Sequence, residues 1–198
     1  MRKSRTSPGP DSSAPGDVGV DDRTADPDAD PYSVARSIAL KQLTMAPRSR
    51  AQLRTAMAKR NVPDDVADAV LDRLEAVKLV DDAAFAESWV RSRQQGRGLA
   101  RRALAHELRQ KGIDDETASA ALDGLGPDDE LDSATRLVGR KIASTRGLDR
   151  NTRVRRLAGM LARKGYPSGL SMQVIRDALA ADDVHDHEDV HDHDGGVG

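Results

Sequence analysis

One internal repeat constrains this chain more than any other feature. The triplets Asn61-Val62-Pro63, Gly112-Ile113-Asp114 and Gly165-Tyr166-Pro167 lie 51 and 53 residues apart, measured between their central residues. Nine positions before each central residue stands Leu53, Leu104 or Leu157, and five before it Met57, Leu108 or Leu161. Two before it stands Arg60, Lys111 or Lys164, and nine after it Leu71, Leu122 or Ile175. Agreement at that many offsets marks one supersecondary unit used three times.

The unit is built around a helix stop. Gly or Asn just past a helix end adopts the left-handed conformation at low cost, and the apolar residue after it packs back on the last turn. Val62 is thereby paired with Met57, Ile113 with Leu108, and Tyr166 with Leu161. The basic residue before each stop sits at the negative end of the helix dipole. Pro63 and Pro167 suit the first turn of a following helix, and Asp114 suits its cap.

Helix formers dominate residues 34–181, and the β-branched and aromatic clusters of a strand are missing. Each repeat reads as three helices: 34–45, 49–60 and 64–78; 82–95, 99–111 and 115–124; 128–144, 150–164 and 170–180. Ser49 and Gln52 have the spacing of a capping box. The expected fold is all-α, with three tandem three-helix units over 34–80, 81–126 and 127–181. Units of this size hold small cores, so neighbours should lean on one another in an elongated, curved array.

The ends differ in kind. Residues 1–33 are rich in Pro, Gly, Ser and Asp, and 182–198 in His and Asp. Neither has enough aliphatic surface to offset the entropy of ordering, so disordered tails are expected. Val-His-Asp-His occurs at 184–187 and again at 190–193. Without a second shell to fix them, these groups promise adventitious metal affinity rather than a metal site. The acidic tail is also a candidate internal competitor for whatever the body binds.

The net charge of -2 averages unlike segments: -3 over 1–33, +8 over 34–181 and -7 over 182–198. A basic body favours polyanions or an acidic protein face. Cysteine is absent, which excludes disulfides and zinc–thiolate sites and fits a reducing cytoplasm. No apolar run approaches the ~18 residues of a membrane span, and no secretory core follows Met1.

Catalysis needs convergent groups, and 34–181 holds one histidine, His106. Leu104 and Leu108 share one face of their helix, while Arg102, His106 and Arg109 lie opposite, so His106 reads as solvent-facing. Gly96-x-Gly98 lacks the rest of a phosphate loop. Asp64-Asp65, Asp81-Asp82, Asp114-Asp115 and Asp128-Asp129-Glu130 all fall at helix starts, where carboxylates cap free N–H groups. Phe85 and Trp89 share a helical face as core, and aromatics are too few for a base-stacking platform. No enzyme activity, cofactor or metal is expected.

Two basic runs are left over. Between 91 and 111 stand Arg91, Arg93, Arg97, Arg101, Arg102, Arg109 and Lys111 against one acid, Glu107. Ten Lys and Arg between 136 and 164, among them Arg150, Arg153, Arg155 and Arg156, face one acid, Asp149. Solvated helix faces ordinarily mix both signs. Near-exclusion of acids, with arginine far above lysine, points to surfaces for phosphate or carboxylate partners.

In Val80-Asp81-Asp82-Ala83-Ala84-Phe85, in Ser92-Arg93 leading to Gly96-Arg97-Gly98, and in His106-Glu107-Leu108-Arg109-Gln110-Lys111-Gly112-Ile113, the chain resembles the RecX family. Val80 stands where the family has Leu, and Ala100-Arg101-Arg102 is a more basic helix start than in many relatives. The resemblance covers about 34–181 and implies the same three tandem units. It further implies a non-enzymatic, monomeric regulator that docks on the filament of the bacterial recombinase RecA on DNA. ATP hydrolysis, strand exchange and stimulated repressor cleavage would then fall. Read from the residues alone, an autonomous nucleic-acid-binding regulator of helix-turn-helix type and a generic helical scaffold stay open.

Overall fold

Each helix stop closes as its chemistry requires. The computed structural model describes the backbone of residues 30–191, with side chains as far as Asp183. The expected tail at 1–29, the last residues 192–198 and the side chains of both His-Asp repeats lie outside these described residues. Nine α-helices and no strand occur among the described residues. They are α1 (Pro31–Met45), α2 (Arg50–Ala58), α3 (Asp64–Ala76), α4 (Asp82–Arg97), α5 (Arg101–Gln110), α6 (Asp115–Leu122), α7 (Pro127–Ile142), α8 (Arg150–Arg163) and α9 (Ser168–His191).

Three cores form, one for each set of three helices. Leu53, Met57, Val70 and Leu71 centre the first, Phe85, Leu104, Leu108 and Leu122 the second, and Val138, Leu157, Leu161 and Ile175 the third. The apolar residues that recur in the repeat are buried. Ser49 and Gln52 form the expected capping box.

At the stops, Asn61, Gly112 and Gly165 have φ of +58°, +77° and +88°. The N–H groups of Val62, Ile113 and Tyr166 reach back to the carbonyls of Met57, Leu108 and Leu161 at 3.1 to 3.2 Å. Those of Asn61, Gly112 and Gly165 bond the carbonyls of Ala58, Arg109 and Ala162. The pattern is a Schellman stop made three times. A fourth closes α3, where Lys78 takes φ +58° and Leu79 N–H bonds the Leu74 carbonyl. No Gly or Asn marks it in the sequence.

The stops also join the units. The Lys111 carbonyl at the end of α5 accepts from Ser49 Oγ at 2.5 Å, and the Lys164 carbonyl past α8 accepts from Ala100 N–H at 2.9 Å. Each negative helix end thus meets the positive start of the second helix one unit earlier. The next unit's first helix adds a carboxylate: Asp82 Oδ1 accepts from Arg50 N–H at 2.8 Å, and Glu130 Oε1 from Arg101 N–H at 2.6 Å. A Cβ on Gly112 would lie 2.2 Å from Ala51 Cβ, and one on Gly165 would lie 2.7 Å from Ala103 N. Asn61 is exposed and joins nothing in this way, so a side chain fits there.

The carboxylate pairs are therefore not all caps of their own helices. Asp81, Asp114 and Asp129 accept from Ala84, Thr117 and Gly126 N–H as expected. Asp82 and Glu130 instead cap α2 and α5 across the joints. Ala100, at the cap position of α5, has no side chain able to do so. Burial raises the pKa of Asp82, against the lowering effect of the Arg50 N–H bond.

The third unit departs most from expectation. Helix α9 runs to His191 rather than stopping near 180, and Asp182, assigned to the acidic tail, is only 7% exposed. Aspartates that read as tail composition are parts of the third unit.

Candidate partner-binding faces

The eleven basic residues singled out from the sequence fall into separate environments. Arg101 begins α5, and its guanidinium donates to the Leu122 carbonyl at 2.6 Å and to Asp123 at 2.8 Å. Arg150 begins α8 and meets Asp183 at 2.9 Å. Arg50, which the sequence reading passed over, begins α2 and meets Asp72 at 2.8 Å and Glu75 at 2.7 Å. The first residue of every second helix is thus an arginine clipped to the third helix of its unit.

Arg153 is not a surface residue. It is 8% exposed, donates to Thr145 Oγ1 and pairs with Asp182. Arg146 donates to Asp182 Oδ1 at 2.6 Å. Hydrogen bonds from Arg146 and Arg153 hold the Asp182 carboxyl below its usual range against the effect of burial. Arg101, Arg150 and Arg153 were read as partner contacts, and each is committed to an internal ion pair. Their partners lie 22 to 33 residues away in the chain, which no local pattern reveals.

Arg93 and Lys111 share Trp89. The Arg93 guanidinium lies 4.1 Å and Lys111 Nζ 4.7 Å from the ring centroid, cation–π distances. Phe85 stacks on the same Trp with centroids 5.8 Å apart, and Trp89 Nε1 donates to Glu107 at 2.8 Å. Arg93 Nε is 3.4 Å from Glu107 but not aligned for a hydrogen bond. Phe85 is core as expected, whereas Trp89 is half-buried and carries two cations.

The remaining cations are exposed. Arg91 lines a shallow hollow between α4 and the end of α6. Arg97 ends α4, and its carbonyl accepts from Lys164 Nζ at 2.5 Å. Burial, then Arg140 and Arg97, lower the Lys164 pKa, so three cations crowd the second joint. Arg102 and Arg109 stand beside a groove of about 490 Å³ lined also by Ala105, Ala118, Leu122 and Pro167. Arg109 makes only a 3.9 Å contact to Asp115. His106 is exposed on the same helix, 3.0 Å from Gln110. Arg155 and Arg156 lie exposed on α8, near Arg163 of the same helix and Lys141 of α7.

Among the described residues no cluster of three metal-binding side chains occurs, and no helix is long and apolar enough to cross a membrane.

The three helical units match three successive family descriptions. These are RecX first three-helix domain over residues 35–74, second over 81–122 and third over 128–175. The regulatory protein RecX of Thermobifida fusca is 54% identical over 175 residues, covering 88% of this chain and 94% of that protein. This chain belongs to the RecX family. The regulatory protein RecX of Streptomyces coelicolor is 52% identical over 154 residues, covering 78% and 82%. A crystal structure of RecX from Lactobacillus salivarius superposes with a TM-score of 0.68 at 19% identity, over 76% of this chain and 97% of that one. At that identity the likeness speaks for the shared fold. RecX relatives are named regulatory proteins, and the all-α architecture of three three-helix units is the family's.

Proposed function

We propose that the chain binds the filament that RecA forms on DNA and restrains it, lowering ATP hydrolysis, strand exchange and stimulated repressor cleavage. In this role it is a cytoplasmic, monomeric and non-enzymatic modulator in DNA repair and the SOS response. Membership of a family of regulatory proteins supports it. The observation that carries it is the uneven pairing of charge. In the first unit Arg50 and Arg54 are held by acids of α3, and Arg36 and Arg73 are the exposed arginines with no ion pair among the described residues. In the second and third, Arg91, Arg97, Arg102, Arg155 and Arg156 are exposed and form no ion pair among the described residues. Arginine forks left open in this way suit carboxylates of a protein filament and phosphates of its DNA.

The test is ATP hydrolysis by RecA on single-stranded DNA, with the full chain added well below equimolar. Hydrolysis should fall, and the chain should sediment with the filaments. Unchanged hydrolysis without co-sedimentation would sink the proposal.

A further inference from the structure

Helix α8 has two basic sides, and α9 neutralises only one. Asp182 and Asp183 hold Arg146, Arg150 and Arg153. On the other side lies a cavity of about 370 Å³ lined by Lys141, Arg155, Arg156 and Arg163, with Ser144 and Gly159 between them. No acid lines it, and none of its four cations forms an ion pair among the described residues. Asp149, whose carboxylate feels the charge of Arg155, is occupied in capping α8 through Thr152 N–H.

The cavity is shaped by sequence. Positions 156, 159 and 163 recur at helical spacing and so share a face of α8. Glycine inside a helix is less favourable than alanine. Gly159 leaves the helix surface bare beside a cation: a Cβ there would lie 3.4 Å from Arg163 Nη1. The exposed Arg163 guanidinium thus lies beside the glycine at the rim of the cavity. Four like charges in one recess repel one another unless an anion joins them.

We infer that this cavity binds the phosphodiester backbone of a nucleic-acid strand. The alternative occupant, an acidic protein segment, needs an apolar anchor as well as charge. Here Met160 is the one apolar side chain in the lining, whereas the groove beside Arg102 and Arg109 is lined by Ala105, Ala118, Leu122 and Pro167. Successive phosphates supply repeated negative charge with no apolar demand, and arginine forks bind them in pairs. The inference specifies one of the basic faces above, yet it needs no recombinase.

The test uses the full chain with fluorescently labelled oligothymidylate and its duplex counterpart, read by anisotropy over a range of salt concentrations. The double variant Arg156→Gln, Arg163→Gln should bind about tenfold more weakly at low salt. Its salt slope on the single strand should be shallower by about 1.4, for two lost contacts. Gly159→Glu keeps all four cations, adds a carboxylate and favours the helix, and it should weaken binding similarly. Lys41→Gln with Lys59→Gln removes as much charge from the first unit and should leave binding within twofold.

Parent-like binding by both cavity variants would overturn the site, as would an equal loss in the first-unit control. Displacement by polyglutamate as effective as by oligothymidylate of equal charge would overturn the phosphate assignment. RecA is absent from the assay, so a filament indifferent to the protein leaves this result standing. The single strand and the duplex compared show which form is preferred, and binding to neither would overturn the inference.

Discussion

The two basic runs read alike in the sequence and are handled differently by the fold. In the second unit, Arg93 and Lys111 lie against the half-buried face of Trp89, and Arg101 is clipped to the end of α6. Arg102 and Arg109 stand beside an apolar groove. In the third unit, two consecutive aspartates of α9 take up three arginines, and another side of α8 keeps its cations around a basic recess. Composition is therefore a poor guide to which charges a partner can meet. What decides is whether a third helix brings an acid to the place where the arginine emerges.

Breaking the joint between the two runs should have the largest effect. Gly165→Ala forces φ +88° on a residue with a Cβ and drives that Cβ to 2.7 Å from the Ala103 backbone. Left-handed strain and overpacking together should cost about 4 kcal/mol in urea unfolding. Asn61→Ala, at a stop that joins nothing, should cost about 1 kcal/mol. Equal losses at the two positions would mean that the joint adds no constraint.

Next in size is the buried pair of the third run. Arg153→Met should lower stability by about 3 kcal/mol, because it removes a partner from a carboxylate that remains buried. Acid should act in the same direction. The folded pKa of Asp182 lies below its unfolded value of about 4. Its contribution is therefore full above that value and is lost as pH falls through the folded pKa. Urea midpoints measured at pH 7 and on acidification below 4 should converge for Asp182→Asn and the parent chain.

The smallest effect on stability tests the comparison most directly. Arg102→Gln removes an exposed cation with no ion pair among the described residues and should change unfolding by less than about 0.5 kcal/mol. If Arg102 lies on the face that meets the filament, the same change weakens restraint of RecA ATP hydrolysis. A variant that loses stability but not restraint would move Arg102 to the structural class occupied by Arg101.

Much of the fold was legible because its signals are local. A Schellman stop is complete within six residues, so Met57 to Val62 carries all its parts, as does Leu108 to Ile113. The capping box of Ser49 and Gln52 is equally self-contained. The stop at Lys78 was missed because a lysine bears the left-handed conformation that Gly or Asn would announce. The end of α9 was missed for another reason. Asp182 and Asp183 read as tail composition, yet their ion pairs with Arg146, Arg150 and Arg153 bind that stretch to the third unit.

By itself, the sequence determined the number of units, their helices and the residues that fill each core. Periodicity and helix stops act between neighbours in the chain, where spacing in sequence is spacing in space. Tertiary structure alone decided that Gly112 and Gly165 are fixed by the unit before them while Asn61 is not. It also decided that Asp82 and Glu130 cap helices other than their own, and that Arg153 is buried while Arg156 is open. Those outcomes depend on distances between helices, and an arginine's sequence neighbours do not state which carboxylate will stand across from it.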